Sequence, residues 1–331
     1  MIRLRIGSII IGIITGCFLL LSFFSSLPDG KLRIIFCDVG QGDGIYVRFP
    51  DGRDMIVDGG PGKKILGCLG RHMPFWDRTI DVVILTHPEA DHVNGLLAVL
   101  SRFRVPYLVR SDIENTTDGF TSLIQLMKEK KVAEKLVMAG AKIDVGGAAL
   151  TVLWPTATQI ALMKPVNNVT MQQCNNASQT PCPSVLGVTT SSNLNDGSVV
   201  VYLSYGSFDA LLLGDADSHV DKGLTSEIPN DPDGLEVLKV PHHGSRTGMT
   251  DAFLSVLKTR ALNSRPGLGG YSSPSKPLAV ISVGQNSYGH PSPEIIEKLE
   301  KIGFHVLRTD KEGDIEVVSD GKEWTVSSSK K

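Results

Sequence analysis

The sequence predicts an α/β protein in which two β-sheets pack against each other with helices on their outer faces. Short runs rich in β-branched residues recur along the chain and are bounded by Gly, Asp or Pro, which is typical of strands. Helix-like segments lie between some of these runs, but the two do not alternate regularly enough for a doubly wound parallel sheet. The 34 glycines among 331 residues also favour strands and turns over a helical bundle.

The predicted strands share this composition and lie at residues 32–39, 45–49, 54–58, 81–87, 149–154, 198–205, 209–215, 236–240, 278–283, 305–309 and 315–319. Helices are predicted at 92–103, 119–131 and 293–302. The last helix has clear boundaries, with Ser292 as its N-cap, Pro293 in its first turn and Gly303 beyond its end.

Two polar stretches interrupt this pattern, at residues 155–195 and 261–276. Irregular segments of this length are uncommon in compact domains and are usually functional loops or disordered insertions. We therefore predict that residues 31–331 form one domain that carries an insertion loop at 155–195.

The first 28 residues differ from the rest of the chain. Arg3 and Arg5 precede an uncharged run from Ile6 to Pro28, which contains nearly the 20 apolar residues that a bilayer core requires. Positive charge followed by such a run predicts a signal anchor at residues 1–28. A lipoprotein-type signal is the alternative, because the sequence ITGC ending at Cys17 resembles a lipobox. Both interpretations place the domain outside the cytoplasm, periplasmic or at the cell surface, and attached to the membrane.

The overall charge excludes one class of partner contact. With 33 Lys+Arg and 35 Asp+Glu, the formal net charge is −2, so the chain does not bind nucleic acid through bulk positive charge. No basic stripe with interleaved aromatic residues is evident in the sequence either. Any contact with nucleic acid is therefore expected to be local.

The cysteines favour an exported domain. Cys17 lies in the apolar run, and four cysteines remain, an even number that suits disulfide pairing outside the cytoplasm. Cys174 and Cys182 lie in one loop and are the predicted disulfide, whereas Cys37 is equally well interpreted as a buried free thiol. No CxxC spacing occurs, so a zinc site built from cysteines is not indicated.

A metal-binding pattern follows the strand predicted at 81–87. The segment THPEADH begins at Thr86 and supplies His87, Glu89, Asp91 and His92 at the end of an apolar run. Imidazole nitrogens and carboxylate oxygens together suit Zn, Mn or Fe. The alternative is a simple helix cap formed by Asp91.

Three further polar clusters follow other predicted strands. LGDAD places Asp215 after a strand and a glycine, and a carboxylate can bridge two cations. VPHHGS places His242 and His243 side by side at a strand end, where one of them is able to support the other rather than bind a metal. The segment NSYGHP places His290 ahead of a capped helix, whose N-terminus could help to hold a phosphate.

Taken in order, these clusters resemble the metallo-β-lactamase superfamily, an αββα sandwich of metal-dependent hydrolases, and within it the C-terminal extracytoplasmic hydrolase domain of competence proteins of the ComEC type. The resembling segments span nearly all of residues 31–320: FCDVGQGDGIYVRFP (36–50), IVDGG (56–60), LTHPEADHVNGL (85–96), NDGSVVVYLSYG (195–206), LLLGDAD (211–217), LKVPHHGS (238–245), ISVGQNSYGHPSPEIIEKLEKIG (281–303) and RTDKEGDIEV (308–317). Those competence proteins cross the membrane many times, whereas this chain has one apolar segment and is interpreted as a stand-alone relative.

The resemblance implies one or two divalent ions, Zn or Mn, as cofactors. The superfamily pattern is HxHxDH, and Glu89 stands here at the position of its second His. The implied first metal position has His87, Glu89 and a bridging Asp215, and the second has Asp91, His92, Asp215 and either His242 or His243. With fewer imidazoles, the first position favours Mn²⁺ or Mg²⁺, or low occupancy.

The reaction implied by the resemblance is phosphodiester hydrolysis on DNA, with DNA-uptake (competence) machinery as a partner. Asp91 and His290 are the predicted catalytic residues, His290 as a proton donor or phosphate contact. The predicted substrate-binding residues are Asn195, Ser245, Arg246, Tyr288 and His290, and Arg265 and Lys276 are further expected contacts to the nucleic-acid backbone. Two alternatives remain: an envelope-directed phosphodiester or other ester hydrolase of the same fold, and a non-catalytic DNA-handling module.

Overall fold

A computed structural model describes residues 7–17, 27–164, 193–230, 234–263 and 276–330. Residues 7–17 form a helix, α1, but within the described ranges no helix is both long and apolar enough to cross a bilayer. Residues 1–6 and 18–26 of the predicted anchor lie outside these ranges, so the anchor stays a prediction. The predicted α/β architecture of two sheets with outer helices is confirmed.

The first sheet has eight strands in the order β15-β14-β1-β2-β3-β4-β5-β6. Its strands are β1 (Leu32–Phe36), β2 (Gly44–Arg48), β3 (Asp54–Gly59), β4 (Val82–Leu85), β5 (Tyr107–Arg110), β6 (Ala133–Leu136), β14 (Ile315–Ser319) and β15 (Trp324–Ser328). Strands β3 to β6 run parallel to one another, whereas the other pairs are antiparallel.

The second sheet has seven strands in the order β13-β12-β11-β10-β9-β8-β7. Its strands are β7 (Lys142–Val145), β8 (Ala148–Trp154), β9 (Val200–Tyr205), β10 (Phe208–Leu212), β11 (Val237–Lys239), β12 (Leu278–Ile281) and β13 (His305–Arg308). Strands β10 to β13 are parallel. Each sheet thus contains a parallel block, and the carboxyl ends of parallel strands meet along one edge of a sheet.

The helices cover the outer faces of both sheets. They are α2 (Lys64–His72), α3 (Ala90–Arg102), α4 (Asp118–Lys130), α5 (Ala157–Met163), α6 (Asp221–Glu227), α7 (Asp251–Asn263), α8 (Pro293–Lys301) and α9 (Thr309–Glu312). Alternation along β1 shows how the layers form: Ile34 and Phe36 face the core between the sheets, whereas Ile35 packs against the outer helices.

Several elements differ from the sequence prediction. The four-residue strand β6 was not predicted, because its sequence AEKL is exposed throughout and shows no apolar alternation. Helix α5 lies inside the stretch 155–195 that we expected to be irregular, and the hydroxyl of Thr156 caps it by accepting from the Gln159 N–H at 3.1 Å. Helix α7 likewise extends to residue 263, into the second expected loop. The remainder of both loops lies largely outside the described residues.

A disulfide joins Cys37, directly after β1, to Cys68 in α2, with Cα atoms 5.8 Å apart. The interpretation of Cys37 as a free thiol is therefore wrong, and the reason is that 31 residues separate the two cysteines along the chain. The predicted partners Cys174 and Cys182 lie outside the described residues. The bond attaches the first outer helix to the sheet that carries half of the candidate site.

Removing this disulfide is expected to lower the free energy of unfolding by about 3–4 kcal/mol, since closing a loop of this length restricts the unfolded chain. Urea unfolding of the variant Cys37→Ser/Cys68→Ser, compared with wild type, measures the difference. Cys17→Ser is the matched control, because Cys17 is exposed and unpaired. Equal midpoints for wild type and the double variant would show that the bond contributes nothing.

Candidate metal centre

The candidate site lies where strands of both sheets end. In the first sheet, β3 ends near Asp58 and β4 leads into His87 and the start of α3. In the second sheet, β10 leads into Asp215 and β11 into His243. Because β3 and β4 are parallel neighbours, as are β10 and β11, these four loops meet on one side of the sandwich.

Four side chains converge there: Asp91, His92, Asp215 and His243. One nitrogen or oxygen atom from each lies within 4.8 Å of those of the others, and all but Asp91 are buried. Asp215 Oδ2 lies 3.4 Å from His92 Nε2 and 3.2 Å from His243 Nε2. His243 Nε2 is also 3.3 Å from Asp91 Oδ2. We call this group the four-residue cluster.

A carboxylate on the side away from the cluster fixes the orientation of the His92 ring. Its Nδ1 donates to Asp58 Oδ2 at 2.8 Å, and the same carboxylate accepts from the Thr86 N–H at 2.8 Å and the Thr86 hydroxyl at 2.6 Å. His92 Nε2 is therefore turned into the cluster, where it is buried and has no hydrogen-bond partner. A histidine held by a carboxylate through one nitrogen, with the other nitrogen free, is the usual arrangement of a metal ligand.

His243 is held in a similar way, by a backbone carbonyl. Its Nδ1 donates to the carbonyl oxygen of Ser282 at 2.9 Å, which directs Nε2 at the cluster. His242 and His243 both have left-handed backbone conformations, with φ of 47° and 53°, which are costly for residues other than glycine. This turn separates the two imidazoles, so His243 lies in the cluster and His242 lies beside it.

Lys239 lies behind the cluster and was not identified from the sequence. Its ammonium group is fully buried, contacts Asp43, donates to the Gly214 carbonyl at 2.7 Å and lies 3.4 Å from Asp215 Oδ1. Burial opposes its charge, but the carboxylates of Asp43 and Asp215 outweigh burial and raise the pKa of Lys239. The sequence signal was present, since Lys239 is a charged residue in the otherwise apolar end of β11.

The charges of the cluster suit a cation. Although burial opposes ionisation, His243 and His92 lower the pKa of Asp91 to about 2 and hold that of Asp215 well below its usual value. Burial likewise opposes protonation of the imidazoles, yet Asp215 raises the pKa of His243 to about 10. A divalent ion would replace these imidazole protons with its own charge, as metal binding to histidine requires. The donor set therefore fits a divalent metal.

His87 and Glu89, the other implied ligands, do not join the cluster. The ring of His87 is tilted by 56° against that of His92, with centroids 4.1 Å apart. Its Nε2 is buried without a partner, and burial lowers the pKa of His87 to about 3. Glu89 is the residue before α3, and its Oε2 lies 3.9 Å from His87 Nε2 with 40% of the side chain exposed. His87 Nε2 and the Glu89 carboxylate thus lie beside the cluster, with the charges of Asp215 and Asp91 acting on both.

His242, Asn195, His290 and Tyr288 form a second layer beside the cluster. His242 Nε2 lies 3.4 Å from Asn195 Nδ2, and its Nδ1 lies 3.5 Å from Asp217 Oδ2. The ring of His290 is 5.5 Å from that of His242 and stacks on that of Tyr288, which is 74% exposed. Three predicted substrate-binding residues, Asn195, Tyr288 and His290, are therefore assembled next to the cluster around His242, which was predicted as a possible metal ligand.

The remaining predicted contacts are less close. Ser245 is buried and its hydroxyl pairs with that of Thr247 at 3.1 Å, so it stabilises its own turn. Arg246 is 77% exposed and its Nε lies 3.7 Å from a carboxylate oxygen of Glu294, on the surface. Arg265 lies outside the described residues.

Gly42 allows the loop after β1 to approach the cluster. Its φ is 134°, and a Cβ atom at this position would lie 2.3 Å from the carbonyl oxygen of Asp91. The neighbouring Asp43 is thereby brought against Lys239 and within 3.5 Å of His243 Nδ1.

Comparison with known proteins agrees with this geometry. Residues 37–164 match the metallo-beta-lactamase superfamily. ComE operon protein 3 of Bacillus subtilis is 25% identical over 332 aligned residues, which cover 91% of this chain but only 34% of that protein. The chain therefore spans about a third of the length of this relative.

Solved structures with similar folds are more distant. They include the metallo-beta-lactamase fold protein YhfI of Bacillus subtilis (11% identity, 86% of this chain and 99% of that one, TM-score 0.46). Zn²⁺-bound PqqB of Methylobacterium extorquens has 14% identity, covers 81% of this chain and 85% of its own, and has a TM-score of 0.47. No substrate follows from likeness at this level. The match over residues 37–164 and the two layered sheets confirm the predicted resemblance to the metallo-beta-lactamase superfamily.

Proposed function

We propose that this chain is a metal-dependent hydrolase that cleaves phosphodiester bonds, with DNA as its substrate. The observation that carries the proposal is the four-residue cluster, in which two oriented imidazoles and two ionised carboxylates face one point. A divalent ion bound there would activate water for attack and stabilise negative charge on a phosphate. Two imidazoles with two carboxylates suit either Zn or Mn.

The residues around the cluster have separate tasks in this proposal. Asp58 and the Ser282 carbonyl hold the two imidazoles in the orientation that a cation needs. His290 lies on the open side, and burial together with His242 lowers its pKa, which favours the neutral ring at pH 7. A neutral ring beside the cluster can donate a hydrogen bond from its ring N–H to a phosphate oxygen, whereas transfer of a proton to the leaving oxygen would need the protonated ring, which the lowered pKa disfavours.

We expect one tightly bound divalent ion per chain rather than two. His87 and Glu89 lie outside the four-residue cluster, with Nε2 and Oε2 3.9 Å apart, and Lys239 lies 3.4 Å from Asp215 Oδ1. Metal analysis of the dialysed chain measures the ratio directly. A ratio of two ions per chain would contradict the expectation.

The sequence alone supports three parts of the proposal: DNA as the substrate, attachment to the membrane, and a location outside the cytoplasm. The support is the resemblance of the ordered motifs to hydrolase domains of competence proteins and the apolar run before residue 28. A partnership with DNA-uptake machinery rests on the same resemblance. Because the chain spans only part of its relative, other activities of that protein are not transferred.

The proposal is tested with the purified full chain and four additions: single-stranded DNA, duplex DNA, a generic phosphodiester and EDTA. Cleavage of DNA that needs Mn²⁺ or Zn²⁺ and stops with EDTA is expected. Asp91→Asn is expected to remove this cleavage, whereas the exposed Asp144→Asn should leave it intact. Cleavage that persists in EDTA would contradict the metal mechanism.

Two other outcomes of the same assay identify the alternatives. Cleavage of the generic phosphodiester but not of DNA would favour an ester hydrolase directed at the cell envelope. A metal-loaded chain that binds DNA and cleaves nothing would identify a DNA-handling module. The ester hydrolase and the DNA-handling module would both contain the four-residue cluster, so metal content alone does not distinguish them.

A further inference from the structure

A patch of arginines and aromatic rings lies outside the candidate site. It consists of Arg71, Phe75, Trp76, Arg78, Arg102 and Arg104, and we call it the Arg–aromatic patch. Phe75 is 56% exposed and Trp76 is 36% exposed, and all four arginines are exposed. The sequence shows no continuous basic stripe with interleaved aromatics, and this surface is assembled by the fold instead, with Arg71 also paired with Asp314 at 2.7 Å. The patch was missed because its residues come from two segments, 71–78 and 102–104.

The two segments are joined by backbone contacts. The Arg104 N–H donates to the Arg78 carbonyl at 2.7 Å, and Thr79 forms a β-bridge with Arg104. The rings of Phe75 and Trp76 meet edge to face with centroids 4.8 Å apart. Because the segments are fixed to each other, the patch is a defined surface rather than two independent loops.

Two cavities adjoin the patch and share Phe75. One, of about 410 Å³, is lined by apolar residues from α2 and from the end of α3, with Arg78 and Arg102 beside them. The other, of about 460 Å³, is lined by Phe75, by several charged residues and by Leu27. Leu27 lies near the end of the apolar N-terminal run, so the patch lies where the chain would leave a membrane.

The patch also lies toward the edge of the first sheet that faces away from the candidate metal centre. Asp77, inside the patch segment, lies 4.0 Å from Arg48 at the end of β2, whereas Asp43 of the centre precedes the start of β2. A strand rises about 3.4 Å per residue, so β2 separates these two edges by about 14 Å.

We propose that the Arg–aromatic patch rests on an anionic phospholipid surface and holds the domain there with its metal centre facing away from the bilayer. Exposed Trp and Phe insert at the level of the lipid headgroups, and nearby arginines attract anionic lipids. The cavity beside Arg78 and Arg102 offers apolar side chains to a lipid chain and guanidinium groups to a lipid phosphate. This inference rests on the proposed N-terminal anchor and is independent of the proposed hydrolysis.

A nucleic-acid strand is the other occupant that arginines and aromatic rings could bind. Two observations favour lipid over it. Leu27 shares a cavity with Phe75, and the patch is separated from the metal centre by the length of a strand.

The test uses tryptophan fluorescence of the full chain in vesicles of brominated phosphatidylglycerol or brominated phosphatidylcholine. Trp154 and Trp324 are buried, so bromine in the bilayer is expected to quench Trp76. We expect greater loss of emission in phosphatidylglycerol and little loss in Trp76→Phe. Arg78→Gln/Arg102→Gln is expected to reduce the quenching, whereas the exposed Lys258→Gln should not.

Three results would overturn the proposal, and they differ from failure of the proposed hydrolysis. A chain that floats with vesicles without quenching places the patch away from lipid. A chain that does not float at all lacks the anchor on which the proposal rests. An oligothymidylate that changes Trp76 emission without vesicles, and fails to do so in Trp76→Phe, identifies a nucleic-acid surface. DNA cleavage is measured separately in each case.

Discussion

Replacing His243 with alanine is expected to remove bound metal and to lower DNA cleavage by more than about 100-fold, which is the upper end for losing a group that only supports a ligand. His242→Ala is expected to retain the metal, because His242 faces Asn195 and Asp217 rather than the four-residue cluster. Comparing the two variants shows which of the two adjacent histidines binds the metal, a question that the sequence alone leaves open.

The measurement combines metal content with cleavage rate for both variants. Loss of cleavage in His242→Ala with metal retained would place His242 among the groups that contact substrate, which its position beside His290 allows. Metal retained in His243→Ala but lost in His242→Ala would contradict the assignment of His243 as the ligand. Circular dichroism of each variant controls for misfolding, since both positions have left-handed backbone conformations.

Lys239→Met is expected to lower the free energy of unfolding of the metal-free chain by about 3–5 kcal/mol, the cost of removing one partner from a buried ion pair. The ammonium group lies between the buried carboxylates of Asp43 and Asp215, and removing it leaves them with histidine partners alone. Chemical unfolding in EDTA measures this loss. Lys298→Met is the matched control, because Lys298 pairs with carboxylates at the exposed surface, where an ion pair contributes about 0–1 kcal/mol.

A second variant tests the cause of that loss. Adding Asp43→Asn to Lys239→Met removes one of the two carboxylates that lost the lysine, so the double variant should be more stable than Lys239→Met alone. Divalent metal should also restore part of the stability, since a cation compensates the charge of Asp215. If Lys239→Met and Lys298→Met destabilise the chain equally, the buried ammonium does not balance the centre.

Much of the fold and of the centre could be predicted from the sequence. Strands such as β1 and β9 are long and β-branched, and each candidate ligand directly follows an apolar run, which places it at a strand end. The cluster members Asp91, His92 and Asp215 were all predicted as ligands. The sequence was sufficient for features that depend on neighbouring residues, namely an apolar run followed by a turn and a polar cluster.

The remaining features depend on contacts between distant segments. Cys37 and Cys68 meet because α2 folds back over β1, and Lys239 meets Asp43 only when the two sheets pack together. The left-handed backbone conformations of His242 and His243 determine which of the two imidazoles faces the cluster. No local sequence pattern predicts these conformations. The Arg–aromatic patch likewise combines two segments that lie far apart in the sequence.

The origin of the four cluster residues has a consequence for how the protein assembles. Asp91 and His92 come from the first half of the chain, and Asp215 and His243 come from the second. An ion bound by all four residues would link the two halves of the chain. It would stabilise the folded state only when both halves are in place. Two separately expressed halves should therefore reassemble more readily when divalent metal is present, which makes this chain suited to a metal-dependent split-protein reporter.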